Sequence, residues 1–568
     1  MDLRAQGKGY EGYLEQARDH GVGLVRSRVT GVAPQPRGGV LVRFTDARGR
    51  PREEPFDMAV LSVGLRPGGA IEALARRLGV GVNDHGFIQT SPLFQVTTAR
   101  PGVLVCGAAR EPMDIPESVT TASAAAAVAS RLLTTASRTW SPKPKPIPSR
   151  VPESPPRIGV FLCHCGTNIA KTIDLAKLAA AVAQLPGVAH VEDNLFSCAV
   201  DSTTRMRETI QTQRLNRVVV AACSPRTHEG VFREVLAAAG LNPGYFAFAN
   251  IREQCAWVHQ TEPDAALTKA LSLVAMAVSR AAVLSPIQPQ SFPVIPRALV
   301  LGGGVAGMNA SLTLADQGFH TYLVERESSL GGLARELFFT LEGPDPQEFL
   351  HQLQAAVYLH PNIEVLIQTE LIKLTGHVGQ FRSTVRRLTQ DGAKARELSH
   401  GVIVAATGGR EFRPQGRYLY GADPRVLTQR ELEGKIHFGD LELPQVRSVV
   451  MIQCVGSREP GHPYCSRLCC SQALKNALLL KERYPLMGIT ILYRDLRAYG
   501  FRETYYLKAK DQGVTFIPFE ATRPPQVTAA RRRPLTVRVE DELLGQVVAL
   551  SADLVVLSTG IEPAAGCA

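Results

Sequence analysis

Apolar runs alternate with helix-period stretches along most of this chain. Val449-Val-Met-Ile-Gln-Cys454 predicts a buried strand, residues 471–482 a helix and Ile489-Thr-Ile-Leu-Tyr-Arg494 the next strand. A short unbroken apolar run followed by an amphipathic stretch is the pattern of a β-α-β unit in a parallel sheet, whose strands are covered on both faces. The pattern recurs at Ala298-Leu-Val-Leu301, a helical stretch over 308–317 ended by Gly318, and His320-Thr-Tyr-Leu-Val-Glu325. It appears again between residues 157 and 284. There strands are expected over 157–163, 189–193, 217–222 and 245–250, with helices near 175–184, 203–212, 227–239 and 265–279. Such alternation implies an α/β fold with parallel sheets.

Two proline-rich stretches punctuate the pattern. Residues 141–156 and 285–296 read as stiff, extended linkers, and they separate segments 1–140, 157–284 and 297–568. The outer two segments are related. Asp2-Leu-Arg-Ala5 recurs as Asp495-Leu-Arg-Ala498, and Tyr13-Leu-Glu-Gln-Ala-Arg-Asp-His-Gly-Val-Gly matches Tyr506-Leu-Lys-Ala-Lys-Asp-Gln-Gly-Val-Thr. Phe56-Asp-Met-Ala-Val-Leu-Ser-Val-Gly-Leu-Arg-Pro67 matches Ala552-Asp-Leu-Val-Val-Leu-Ser-Thr-Gly-Ile-Glu-Pro563. Residues 1–140 are therefore expected to be the C-terminal part of one domain type. Residues 297–568 carry that type's beginning and stop short of its end. A fragment of a tandem duplication is the favoured origin, with a permuted arrangement as the alternative.

Gly302-Gly-Gly-Val-Ala-Gly307 follows the strand at 298–301 and has the form G-x-G-x-x-G, with glycines at 302, 304 and 307. Glu325 closes the next strand 23 residues after Gly302, the spacing at which a carboxylate accepts hydrogen bonds from ribose hydroxyls. The bare backbone and the helix N-terminus would hold a pyrophosphate. Arg326, the pair Gly331-Gly332, and Thr407-Gly408 at the end of Val402-Ile-Val-Ala-Ala-Thr-Gly-Gly409 extend the candidate site and favour FAD over NAD. This order resembles two-dinucleotide flavoproteins of the thioredoxin-reductase type. In them a last strand ending in glycine, then a helix, completes the flavin site. Gly102-Val-Leu-Val-Cys-Gly-Ala-Ala109 followed by residues 118–133 matches it, which makes Gly107 a further candidate, although Ala108 stands where an acid is usual.

The second β-α-β turn lacks the glycines a nicotinamide site needs for its backbone to approach a pyrophosphate. It runs from Cys454 through Cys465 to Cys469 and Cys470. Four thiols there suggest an iron–sulfur cluster. The C-x10-C-x3-C-C spacing fits none of the usual zinc pairs, and a redox disulfide would favour C-x-x-C. Zinc, a redox thiol and buried structural cysteines stay open as alternatives. In the middle segment Cys163, Cys165, Cys198, Cys223 and Cys255 each follow or end a predicted strand, at the carboxyl edge where ligands bind in parallel sheets. These five thiols could converge on one site and hold a second cluster; incidental small core residues are the alternative, and which of the five would bind metal is left open. His164 and His228 are candidate proton carriers or ligands, with a structural role as the alternative.

Gln453-Cys-Val-Gly-Ser-Arg, Pro463-Tyr-Cys-Ser-Arg-Leu-Cys-Cys470 and Arg497-Ala-Tyr-Gly-Phe-Arg-Glu503 together resemble the A-subunit of heterodisulfide reductase, an iron–sulfur flavoprotein. Cys163-His-Cys-Gly-Thr-Asn-Ile169, Ala222-Cys-Ser-Pro-Arg-Thr-His-Glu229 and Asn250-Ile-Arg-Glu-Gln-Cys-Ala-Trp257 extend the resemblance to the middle segment. In that family the four loop cysteines hold a [4Fe–4S] cluster near the flavin. The resemblance implies an electron-transfer component passing electrons between FAD and clusters, with flavin-based bifurcation as the sharper form. Implied partners are a Cys-Cys-Gly subunit, an iron–sulfur subunit, a hydrogenase or dehydrogenase donor, and ferredoxin, in a hetero-oligomer. Two departures matter. Inserted ferredoxin runs of the form C-x2-C-x2-C-x3-C-P are missing, including from 376–401, and Cys469-Cys470 is followed by Ser471 rather than glycine. This chain alone is not expected to reduce a heterodisulfide. A pyridine-nucleotide disulfide oxidoreductase and a docking scaffold with an incomplete flavin site are the alternatives.

Composition changes little in this picture. The 568 residues are 45% hydrophobic and 20% charged, ordinary for a chain that buries several cores. The charge of +11 is dispersed apart from Arg531-Arg532-Arg533, and no nucleic-acid motif accompanies it. The start Met1-Asp2-Leu3-Arg4 is polar, and the apolar stretch over 270–284 is interrupted by Ser279-Arg280. No signal peptide or membrane span is expected, and the location expected is cytoplasmic, where eleven cysteines point to metal or redox chemistry rather than disulfides.

Overall fold

The computed structural model describes residues 3–4, 9–46, 49–133, 155–288, 292–388, 395–439, 443–529, 534–541 and 544–564. The proline-rich stretch up to 154, the Arg531–Arg533 run, and Asp2 and Ala5 of the repeat lie outside them. The chain forms two compact units: Trp140–Phe292, and Met1–Thr139 together with Pro293–Ala568.

The smaller unit is a four-stranded parallel sheet in the order Val188–Asn194, Ile158–Cys163, Arg217–Ala222, Phe246–Asn250. Ile158–Cys163 is buried along its whole length because helices cover both faces, which explains an apolar run instead of alternation. Leu175–Val182 and Pro263–Ala282 pack on one face, Val200–Thr212 and Pro225–Ala238 on the other. Asp174 caps the first of these helices by accepting from Lys177 N at 3.1 Å. By length and composition alone, the 20 residues of Pro263–Ala282 could cross a bilayer, contrary to the sequence expectation. Its Ala266, Ala270, Val274, Ala277, Val278 and Ala281 are spent instead on the core of this sheet.

The larger unit holds two parallel sheets. The first runs in the order Ile363–Leu366, His320–Val324, Arg297–Leu301, Val402–Ala405. Helices Val305–Asp316 and Pro346–Leu359 cover one face, and the antiparallel strands Thr369–His377, Gln380–Arg387 and Ala395–His400 cover the other. The second sheet has the order Val426–Thr428, Leu554–Thr559, Ser448–Val455, Gly488–Tyr493, Thr515–Pro518. It too carries helices on one face, among them Gln429–Phe438 and Cys469–Arg483, and the antiparallel meander of Gln526–Thr528, Leu535–Asp541 and Gln546–Ala552 on the other. Each half is a Rossmann-like layer with the same added meander, the α/β class expected.

The N-terminal segment repeats part of the second half. Helix Tyr10–Asp19 is the counterpart of Glu503–Asp511, and strands Arg28–Pro34, Val40–Thr45 and Pro51–Phe56 form a meander of their own. The repeat then diverges in structure. Leu554–Thr559 is buried at the centre of its sheet, whereas its counterpart, residues 58–63, forms no strand. Met58, Val60 and Val63 are 75%, 84% and 83% exposed. A parallel strand is held by its neighbours' backbone groups, and these residues have no neighbouring strand. The expected flavin strand over 102–106 is likewise replaced by one isolated bridge, Thr97 with Leu104, so the first sheet ends at Val402–Ala405. The helix expected after it is present as Ile115–Leu133 and packs on Val305–Asp316, with Arg131 3.5 Å from Asp316.

Candidate cofactor sites

The close approach of Val305–Asp316 to Arg297–Leu301 requires glycine at two positions. Gly302 has φ +104°, and a Cβ on it would lie 2.3 Å from the Ala406 carbonyl oxygen. A Cβ on Gly307 would lie 1.8 Å from the carbonyl oxygen of Gly302. A Cβ on Gly304, by contrast, would meet nothing within 4 Å. The outer glycines thus close the turn and seat the helix, and the middle one leaves bare backbone facing open space at a helix N-terminus. That cradle fits a pyrophosphate. Gly331 and Gly332 extend it, since Gly331 N donates to Gly303 O at 2.8 Å and a Gly332 Cβ would sit 3.3 Å from Gly304 Cα.

Glu325 accepts from Gly303 N at 2.6 Å and from Glu327 N at 2.8 Å, which fixes its carboxylate at the end of the strand beside the cradle. Arg326 is exposed next to it. Thr407 and Gly408 are exposed beyond Val402–Ala405, and Gly408 takes φ +69° with open space at its Cβ position. Gly107 lies in the turn Gly107–Ala109 with φ +65°, and its N–H donates to Thr121 Oγ1 at 3.1 Å.

Cys454, Cys465, Cys469 and Cys470 line one cavity together with Ser457, Arg458, Ser466, Arg467, Asp495 and Arg497. Cys454 leaves the strand Ser448–Val455 at φ +62°, and Arg458 and Arg467 have φ +59° and +66°. Three non-glycine residues in the left-handed region within one loop mark backbone held in an unfavourable conformation by its surroundings, as at functional sites. Cys469 and Cys470 open the helix Cys469–Arg483, where the backbone favours negative charge. Arg467 N donates to Cys465 Sγ and Arg497 N to Cys470 Sγ, both at 3.4 Å.

Without metal, the surroundings of Cys454, Cys469 and Cys470 favour the neutral thiol. Burial pushes Cys454 up, with Arg458 and Arg494 pulling it partly back. Burial, then the neighbouring cysteines, push Cys469 well above the usual thiol range, and the same causes bring Cys470 to about 12. Metal binding would therefore release protons.

Two arginines answer the thiols. The Arg458 and Arg497 side chains are 6% and 3% exposed, and the buried Arg458 Nη1 and Arg497 Nε have no hydrogen-bond partner. A buried charged donor without an acceptor is costly, about 1–3 kcal/mol or more. Its presence beside four cysteines fits an anionic group in this cavity. Among the described residues no three Cys, His, Asp or Glu side chains gather closely enough to hold a single ion. The four sulfurs line a cavity rather than meet at a point, and a four-iron cube takes one cysteine per iron at its corners.

A second cavity, of about 220 Å³, lies between the glycine cradle's side and the cysteine helix. Leu333, Leu337 and Phe339 face Leu468, Ser471 and Gln472 across it. Lys475 lines it and pairs with the fully buried Glu433 at 2.5 Å while donating to Phe339 O at 3.0 Å. Glu433 also accepts from Phe338 N and Phe339 N, at 2.7 and 3.0 Å. Sequence reasoning missed this pair. Lys475 and Glu433 sit on two separate helices, and nothing local distinguishes them from solvent-facing charges.

In the smaller unit the structure brings together four of the five cysteines. Cys163 and Cys165 end the first strand, with Cys165 at φ +50°, while Cys198 and Cys223 follow the strands on either side of it. This is the point where successive connections leave in opposite directions, the usual ligand crevice of an open parallel sheet. Cys163 Sγ accepts from Cys165 N at 3.3 Å and Ser197 N at 3.4 Å, and Arg252 Nη1 donates to Cys165 Sγ at 3.4 Å. Burial pushes Cys198 and Cys223 up, and the neighbouring thiols add to this, while Arg252 pulls Cys223 partly back.

Cys255 stands apart from the other four. It lies in the turn Arg252–Ala256, is fully buried, and donates to Ala266 O at 3.1 Å. The turn rotates its sulfur into the core against Pro263–Ala282, away from the crevice. His164 is paired with Asp193 at 2.8 Å, and His228 is half-buried in the first turn of Pro225–Ala238.

Residues 296–452 match the family model of the pyridine nucleotide-disulphide oxidoreductases. The chain is 34% identical over 504 residues to the A-subunit of the H2:CoB-CoM heterodisulfide,ferredoxin reductase of Methanothermobacter thermautotrophicus, covering 72% of this chain and 75% of that protein. It is 35% identical over 497 residues to the iron-sulfur A-subunit of the CoB–CoM heterodisulfide reductase of Methanocaldococcus jannaschii, covering 72% and 75%. Among solved structures, the thioredoxin reductase of Lactococcus lactis aligns over 47% of this chain and 78% of its own, at 18% identity and a TM-score of 0.33. That likeness is too loose to add to the fold seen directly.

Proposed function

Because the chain belongs to the heterodisulfide reductase A-subunit family and is a flavin oxidoreductase, we propose that it is the electron-transfer subunit of a heterodisulfide-reductase-like complex. FAD bound at the glycine cradle would supply the exchange between two-electron and one-electron chemistry. Gly302, Gly304, Gly307, Gly331 and Gly332 hold its pyrophosphate, Glu325 its ribose, and Arg326, Thr407, Gly408 and Gly107 border it. Cys454, Cys465, Cys469 and Cys470 ligate a [4Fe–4S] cluster, and Cys163, Cys165, Cys198 and Cys223 a second one. Lys475 and Glu433 stay paired at the cavity between flavin and first cluster, which keeps a charged group there without an unbalanced charge.

The single observation that carries this reading is the cysteine cavity. It occupies the turn in which a nicotinamide enzyme needs glycines, and two buried arginine donors beside it lack an acceptor. Residues 1–140 are the C-terminal part of a related flavoprotein domain, joined by the linker 141–156 to the cysteine-bearing domain 157–284. The linker 285–296 leads to the flavin domain 297–568. The partners are a Cys-Cys-Gly subunit, an iron–sulfur subunit, and a hydrogenase or dehydrogenase donor, with ferredoxin as acceptor where bifurcation occurs. The complex is a cytoplasmic hetero-oligomer without membrane or nucleic-acid attachment.

Anaerobic purification with flavin, iron and sulfide analysis tests the reading. Flavin with roughly eight irons, four per cluster, is expected, together with paramagnetic signals on reduction. Roughly four irons leaves one cluster. A yellow protein that NAD(P)H bleaches and that takes up no iron under anaerobic reconstitution would replace this reading with a disulfide oxidoreductase. A colourless protein would replace it with a docking scaffold.

A further inference from the structure

The carboxylate that balances the two buried arginines comes from the repeated N-terminal segment. Glu11, on helix Tyr10–Asp19, pairs with Arg497 and lies 3.1 Å from Arg458. Its side chain is 13% exposed. Asp495 is the other acid, 2.7 Å from Arg458 and 3.5 Å from Arg497. Arg494 stands nearby, with Nη1 donating to Arg458 O at 2.6 Å, and Arg26 lies 3.5 Å from Asp495. Arg458, Arg497 and Asp495 thus line the cysteine cavity, and Glu11, Arg494 and Arg26 stand behind them on a neighbouring cavity.

The repeat accounts for this placement. Arg4 and Arg497 are the same position in the two copies of Asp-Leu-Arg-Ala. Arg497 pairs with Glu11 on the first copy's helix, and Arg4 pairs with Glu503 at the start of the second copy's helix at 2.8 Å. The two pairs are not equivalent positions of the repeat, since Glu11 aligns with Thr504 and Glu503 with Tyr10, but together they tie the first copy's segment to the second copy's at two points. Glu11 is therefore delivered by a defined docking contact, with Arg4 Nη1 also donating to Ala498 O at 2.9 Å.

We propose that Glu11 is a positioning residue for the cluster held by Cys454, Cys465, Cys469 and Cys470, setting how much of the Arg458 and Arg497 charge the cluster feels. The inference rests on the cluster reading above. Arg458 and Arg497 line the cavity that would hold the cluster, and Glu11 offsets their charge from behind. Reduction adds one electron to the cluster, so removing a nearby negative charge favours the reduced form. The docked N-terminal copy thereby becomes a regulator of the potential at which the second copy passes electrons.

Redox titration of the reconstituted full chain, followed by spin resonance, tests this. Glu11→Gln is expected to shift the midpoint upward by at least a tenfold change in the reduced-to-oxidised ratio, about 59 mV for one electron. Glu503→Gln removes a half-exposed acid outside the cavity, a surface pair too weak to undock the helix, and leaves the midpoint unchanged. If Glu11→Gln fails to hold iron, Glu11→Asp decides. Retention with a wild-type midpoint supports a charge role, and loss in both variants overturns it in favour of packing. A loaded Glu11→Gln protein with the wild-type midpoint overturns this inference alone. A wild-type chain that takes up no iron overturns the cluster reading and this inference together.

Discussion

A Cβ on Gly307 would stand 1.8 Å from the carbonyl oxygen of Gly302, so the two glycines fix how closely the first helix approaches the strand before it. No side chain shift can relieve that contact, because the clashing atom is backbone. Gly307→Ala is expected to push the helix away and abolish flavin retention. Gly304→Ala, whose Cβ meets nothing within 4 Å in the protein, should fold normally but bind flavin weakly because it fills the space a pyrophosphate would take. Thermal unfolding together with the flavin-to-protein ratio separates the two. A Gly304→Ala protein with full flavin would show that the cradle lies elsewhere.

Cys454→Ala, Cys465→Ala or Cys469→Ala should each remove about four irons while leaving flavin in place, since the glycine cradle and the cysteine loop are built from different sheets. Iron analysis after identical anaerobic reconstitution reads this directly. Loss of flavin from all three would mean that the loop serves packing of the whole unit.

The crevice of the smaller unit gives a contrast within one domain. Cys223→Ala should lower the iron content by about four, and Cys255→Ala should not, because the Cys255 sulfur is turned to Ala266 O in the core. Equal iron loss from both would return Cys255 to the ligand set.

This contrast also shows where sequence reasoning stops. The strands other than the one expected over 102–106, the glycine turn and the clustering of thiols at sheet edges follow from local periodicity and spacing, and the structure has them within a few residues. Which way a side chain turns after a strand does not. Cys255 follows its strand much as Cys198 follows its own, yet a wide π-helical turn sends one inward. Residues 58–63 are as apolar as their buried counterpart Leu554–Thr559 but lack strands to pair with, so a similar local preference yields no strand. Glu11 and Arg497 meet across a separation of 486 residues, which no periodicity encodes.

Lys475 and Glu433 predict a stability effect that is separable from electron transfer. Lys475→Met leaves a fully buried carboxylate without its cation, and breaking such a pair is expected to cost about 3–5 kcal/mol. The double variant Lys475→Met with Glu433→Gln should recover much of that loss, because the uncompensated charge is gone. Denaturant midpoints of both proteins, measured at neutral pH, check it. A single variant as stable as wild type would mean that water reaches Glu433.

His400 makes the fold sensitive to acid. It is fully buried in the meander of the first half, with Nε2 2.8 Å from Ser383 Oγ and Nδ1 3.1 Å from Val402 O. Burial holds its pKa below the ordinary histidine value, with the Val402 hydrogen bond opposing only in part. The unfolded chain therefore binds a proton near pH 6.5 that the folded chain refuses. Stability contributed by the neutral ring is fully present above that pH and declines as pH falls through 6.5 towards the lower folded value. His400→Gln, which cannot ionise, should lower stability at neutral pH yet flatten its decline over that window. Unfolding midpoints of wild type and variant at several pH values measure the difference, and parallel curves would assign the acid sensitivity to other groups.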